Sequence, residues 1–284
     1  DMQRLANSFA LSGERTVVYN ALPWERDGIP AMGYKTFPGK NNPVPGKQPE
    51  IDKDAGTLEN KFFSIELDPE SGSIRSVIDK RSGRELVDKN ATHGFGQFLY
   101  ERFSRNEVAS YCKAYVRNGH VWGFVEIGKP DMPSPEEYPY QSFSPTACNL
   151  ENYHKENGVG LTMNYIPGKG GLSYPVSTSV ILYGDASYFD LEVTVDKPAD
   201  PWPEAGWICF PFKVNTPAFR VGRNGSIVDP VQDFALPGVN RYMFAVGTGV
   251  AIFDDNKAGV GVCGMNTPLV SLSELGCWKF DNDF

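Results

Sequence analysis

From Phe63 to Leu67 apolar residues take every second position, with Ser64 and Glu66 between them, and Ile74, Ser76 and Ile78 keep the same step. A period of two predicts strands with one buried face. Asp-Pro-Glu-Ser-Gly (68–72) and Asp-Lys-Arg-Ser-Gly (79–83) fill the gaps, and these residue types reach turn conformations that others resist. Residues 59–86 are therefore expected to form a three-stranded antiparallel meander. Gln97 to Arg102 reads as a further strand. At Ser104 the pattern changes: Glu107 lies three residues on, the spacing of a capping box, and Val108, Tyr111, Cys112 and Tyr115 fall on one helical face. That predicts one short helix over 105–116.

Strand-like runs dominate the rest of the chain: 121–127 (VWGFVEI), 158–166 (GVGLTMNYI), 177–184 (STSVILYG), 188–196 (YFDLEVTVD), 206–214 (GWICFPFKV), 241–255 (RYMFAVGTGVAIFDD) and 259–265 (GVGVCGM). Residues 131–145 (DMPSPEEYPYQSFSP) read as a long polar-aromatic loop. Before the meander, 1–13 resembles the end of a helix stopped by Gly13, 15–22 is extended, and 38–56 is dense in Pro, Gly and charge, as a linker would be. The expected organisation is a helix remnant, small β segment and linker at 1–57, followed by a β-sandwich domain at 58–284. Many strands at short intervals with almost no helix predict an all-β fold, a large antiparallel sandwich.

Composition narrows the function. Aromatics make up 13% of the 284 residues, which suits pleated surfaces, and the net charge of −8 without a Lys/Arg stripe argues against a nucleic-acid partner. No apolar run is long enough for a bilayer, so a membrane partner is not expected either. The opening residues lack the pattern of a signal peptide, and the chain reads as an interior piece of a longer one. Five dispersed cysteines, Cys112, Cys148, Cys209, Cys263 and Cys277, favour reduced thiols over a disulfide framework and lean towards a cytoplasmic setting.

Chemistry-bearing motifs are sparse. His93, His120 and His154 belong to no H-x-D, H-x-H or H-E-x-x-H pair, so no metal is expected in this chain. There is no G-x-S-x-G elbow, and the glycine-rich GTGV and GVGVCG lie inside strand patterns with no following helix. Asp254-Asp255 before Asn256-Lys257 reads as a hairpin turn. What remains is aromatic. Trp202 and Trp207 flank a Pro/Gly loop, and Tyr138 and Tyr140 sit in the long loop, ring types that stack on the C–H faces of sugars and otherwise fill a sandwich.

VVYNALPWERDG (17–28) resembles a segment of glycoside hydrolase family 38, the α-mannosidases, at the opening of the β portion that follows the catalytic barrel. LENKFFSIELDPESGSIRSVIDKRSGREL (58–86) resembles the next hallmark of that family. GWICFPFKV and VAIFDDNKAGVGVCGMNTPLVSL are similar to later strands, in family order. The resemblance implies a galactose mutarotase-like supersandwich and an own N-terminal catalytic domain holding the zinc and the acid/base groups. No catalytic residue is implied here, since the barrel and its H-x-D pair are absent from this sequence. It further implies an α-mannoside substrate, which this domain would support and contact. The candidate carbohydrate contacts are Trp202, Trp207 and, in LPGVNRYMF (236–244), Arg241 and Tyr242, where Arg offers fixed donors and Tyr a ring with a hydroxyl. The competing expectations are a free-standing carbohydrate-binding module and a mutarotase-like epimerase using His120, Glu126 and His154.

Overall fold

The computed structural model describes residues 4, 7–8, 13–20, 25, 28–39, 48–115, 132–155, 158–168, 171–184, 186–233, 242–255, 258–272 and 275–276. The chain divides into two units, Asp1–Gly46 and Lys47–Phe284. In the first, β1 (Arg15–Tyr19) pairs antiparallel with β2 (Tyr34–Pro38). Buried Asn20 fastens their connection, its amide donating to the carbonyls of Ile29 (3.0 Å) and Pro30 (3.1 Å).

The second unit is an antiparallel β-sandwich. One layer runs in chain order through β3 (Glu50–Asp52), β4 (Thr57–Glu59), β5 (Phe63–Asp68), β6 (Ser73–Asp79) and β7 (Arg84–Glu85). The expected meander is its last three strands. Its turns work as the residue types suggest. Gly72 and Gly83 take positive φ (61° and 69°), and the Asp79 carboxylate accepts from Arg81 N (3.1 Å) and Ser82 Oγ (2.9 Å). β3 lies inside the stretch expected to be a linker. Two amides, Asp54 N and Ala55 N, donate to Asp52 Oδ1 at 3.0 Å each, turning that polar run into a tight hairpin.

The facing layer is β10 (Asn149–Lys155), β11 (Gly158–Tyr165), β12 (Val176–Leu182) and β13 (Phe189–Val195), again in chain order. Leu58, Ile65, Ile74 and Val77 meet Leu161, Met163, Val176 and Val180 between the layers. Asn60 joins the two: its Oδ1 accepts from Phe62 N and Phe63 N, and its Nδ2 donates to Tyr183 O at 2.7 Å.

A third sheet puts β8 (Gln97–Arg102) between β9 (Gln141–Phe143) and β14 (Glu204–Cys209). β9 lies within the expected long loop, and β14 ends at Cys209 instead of running to residue 214. The fourth sheet has the order β16 (Ser226–Val228), β15 (Ala218–Arg223), β18 (Gly249–Phe253), β19 (Gly259–Val262). β17 (Phe244–Ala245) pairs with β20 (Leu269–Val270). The run expected as one strand at 241–255 is thus two, separated at Gly247-Thr248 and entered again through Gly249 at φ 141°. The Asp254 turn forms as expected: Asp254 N donates to Ala258 O and Ala258 N to Asp254 Oδ1.

The one helix described over its whole length, α1 (Arg105–Tyr115), has the capping box its sequence predicts. Glu107 accepts from Ser104 N at 2.7 Å, and Ser104 Oγ accepts from Asn106 N at 3.2 Å. Val108 and Cys112 pack with Phe103 and Met132. The expected strand at 121–127 and most of the expected helix at 1–13 lie outside the described residues. Among the described residues no helix is long and apolar enough to cross a membrane.

Candidate functional site

β8 reads Gln-Phe-Leu-Tyr-Glu-Arg and is covered on both faces, which is unusual for a strand ending in two charges. Alternation sends Phe98 and Tyr100 into the main core and turns Leu99 and Glu101 to the opposite face. The Glu101 residue is 6% exposed. Two neutral donors hold its carboxylate, Tyr140 Oη on Oε1 and Trp207 Nε1 on Oε2, both at 2.7 Å. Register explains the indole. Trp207 lies opposite Leu99, so it is the diagonal neighbour of Glu101 on the same face.

Arg102 at the strand end stacks its guanidinium 3.8 Å from the centre of the Tyr138 ring, and Tyr138 leans on Trp202 with centroids 4.8 Å apart. Glu204, opposite Arg102 on β14, accepts from Tyr100 Oη (2.9 Å) and pairs with Lys197 (2.7 Å). Tyr100 meets Tyr174 edge to face. Two buried side-chain atoms here have no hydrogen-bond partner, Arg102 Nε and Tyr174 Oη.

These surroundings keep the phenols protonated. Burial first, then the Glu101 charge, pushes Tyr140 up to about 12, and burial with Glu204 nearby does the same for Tyr174. Tyr100 is raised further, by burial and by its bond to Glu204. The Cys209 thiol climbs to about 11 through burial and the Glu101 charge, which leaves it an inert apolar group at neutral pH. The phenols of the cluster are therefore hydrogen-bond donors and ring faces at neutral pH, and its thiol is no nucleophile there.

All four sequence-picked aromatics of the two loops, Tyr138, Tyr140, Trp202 and Trp207, gather around Glu101 and Arg102 at one end of this sheet. No protein-family model matches the chain. No curated protein matches it either. The geometry alone must then sort the rings. Trp202 packs against Phe103, Val108, Cys112 and Met132, and Trp207 is tied to Glu101 inside a strand rather than in a loop. Tyr140 presents the most open of these faces, 43% exposed with its hydroxyl anchored.

Tyr242 belongs to another part of the fold, just before β17, where its carbonyl accepts from Ser271 Oγ at 2.7 Å. Arg241, His120 and Glu126 lie outside the described residues. His154 is on β10, and His93 sits in the connection before β8. Among the described residues no group of three His, Cys, Asp or Glu side chains could hold a metal ion. No spacing in the sequence marks Glu101, Arg102 or Glu204. The available signal is a Glu-Arg pair closing a strand whose middle, Phe98-Leu99-Tyr100, is apolar or aromatic.

Proposed function

We propose that this chain is a non-catalytic β domain of an α-mannosidase-like glycoside hydrolase, supporting a separate zinc-bearing catalytic domain and contacting the carbohydrate. The galactose mutarotase-like supersandwich and the α-mannoside substrate rest on the resemblance of residues 17–28 and 58–86 to that family. The observation that carries the sugar contact is the Tyr140 ring. It is half-open, its hydroxyl is pinned to buried Glu101, and the Arg102–Tyr138–Trp202 stack backs the same sheet end. A ring fixed in this way offers a flat face to sugar C–H groups at little entropic cost.

Calorimetric or NMR titration of the chain with α-manno-oligosaccharides tests this. Wild type should bind, Tyr140→Ala should weaken binding about tenfold, equivalent to about 1.4 kcal/mol, and Tyr140→Phe, which keeps the ring, should retain most of the affinity. Absence of binding, or equal binding by Tyr140→Ala, overturns the contact. Turnover of aryl α-mannosides with added zinc, or α-glucose mutarotation, above a heat-killed control would overturn the non-catalytic assignment.

A further inference from the structure

β10 and β13 are the two longest edge strands of the described fold, seven residues each, and they bound the same four-stranded sheet. Alternate residues of β10 turn their N–H and C=O groups away from β11, and among the described residues no other backbone meets them. Exposed edges of this length are normally guarded by proline, a bulge or an outward lysine. β10 has no proline, and its register with β11 runs unbroken.

Its lysine is turned inward. Lys155 lies across the sheet's own face to pair with Glu192 and Asp190 of β13, and Tyr153 follows, donating to Glu192 at 3.0 Å. Glycines make this possible: Lys155 lies opposite Gly158 and Tyr153 opposite Gly160. The two bulkiest residues of β10 are thus folded away from the edge, which leaves exposed Asn149, Glu151, Asn152 and His154 along it.

The two edges differ in what a second copy would meet. Antiparallel self-pairing about the centre of β13 sets Glu192 opposite Glu192, a like-charge contact that disfavours it. Self-pairing about the centre of β10 sets Asn152 opposite Asn152, Leu150 opposite His154 and Glu151 opposite Tyr153, with Glu151 diagonal to both Lys155 and Glu151 of the second copy. No like charges stand opposite one another. Such pairing is isologous and closes after two copies. We infer that β10 is a self-association edge, pairing antiparallel with β10 of a second copy about a two-fold axis at Asn152 and joining two four-stranded sheets into one.

Sedimentation of the full chain over a concentration series, with Asn152→Lys and Asn152→Glu, tests this independently of any carbohydrate binding. Wild type should dimerise. Each variant alone should raise the dissociation constant about tenfold or more by facing like charges, and an equimolar mixture of the two should restore dimers. Amide exchange on wild type should show Leu150, Asn152 and His154 gaining protection with concentration, a readout that needs no variant. A monomer at every concentration overturns the inference. So does a dimer that neither variant weakens, or one whose β10 amides gain no protection, because each assigns the contact to another surface or another partner.

Discussion

The meander sheet and the C-terminal sheet use strands of similar length, β5 and β6 in one and β15 and β18 in the other, yet they end in different conditions. Along β5 burial alternates without exception, and its inward residues Phe63, Ile65 and Leu67 meet a second layer. Around β15 and β18 the buried apolar cluster among the described residues is Val221, Val246 and Val250, while Ile227 is 77% and Met265 89% exposed. Both pairs are antiparallel, β5–β6 with one register shift between Glu66 and Leu67 and β15–β18 in unbroken register over Ala218–Gly222. What separates them is the opposing layer: a sheet gains most of its stability from what it covers.

The comparison breaks most directly at matched core positions. Ile65→Ala should cost about 2–5 kcal/mol by denaturant unfolding, because its cavity has a rigid layer on the far side. Val221→Ala, with half-buried neighbours free to close in, should cost about 1.5–3 kcal/mol. Equal costs would erase the distinction. Glycines sharpen it next. A Cβ on Gly160 would stand 2.1 Å from Val180 O, whereas one on Gly261 of β19 comes no nearer than 3.9 Å to its closest neighbour, Val250 O. Gly160→Ala should therefore destabilise by about 1–3 kcal/mol and Gly261→Ala by no more than about 0.5 kcal/mol, both read from thermal melts.

The smallest effect concerns pH. Burial raises the Glu85 carboxyl, but the Ser76 hydroxyl, the N–H groups of Val77 and Val87, and Lys89 outweigh it and hold the group below the ordinary glutamate value. A lowered pKa adds stability above the unfolded value and loses it as pH falls through the folded one. Glu85→Gln should then be less stable than wild type at neutral pH, and the gap should close in acid below the glutamate range. A gap constant across unfolding curves from neutral pH into acid would remove Glu85 from the account.

Legibility followed the same division. Where one face was buried and the other wet, as in β5, or where a cap had its partner three residues on, as at Ser104, the pattern was readable. β10 and β15 carry little alternation of burial, and no strand was expected over 149–155 or 218–223. At the candidate site the rings were visible by type. Their convergence was not, because Trp207 reaches Glu101 through the register of β14 on β8, and register is a property of paired strands, not of a local run.

The hydrogen bond from Trp207 to Glu101 spans 106 residues of chain, and that from Tyr100 to Glu204 spans 104. The sheets β3–β7 and β10–β13, by contrast, grow by pairing sequence neighbours. Loop closure makes such distant contacts slow to form, so the indole environment of Trp207 is set only once both ends of that long loop have met. Its fluorescence therefore reports the closing of that loop, and a shortened chain that omits β8 keeps the loop aromatics but loses Glu101 and Arg102.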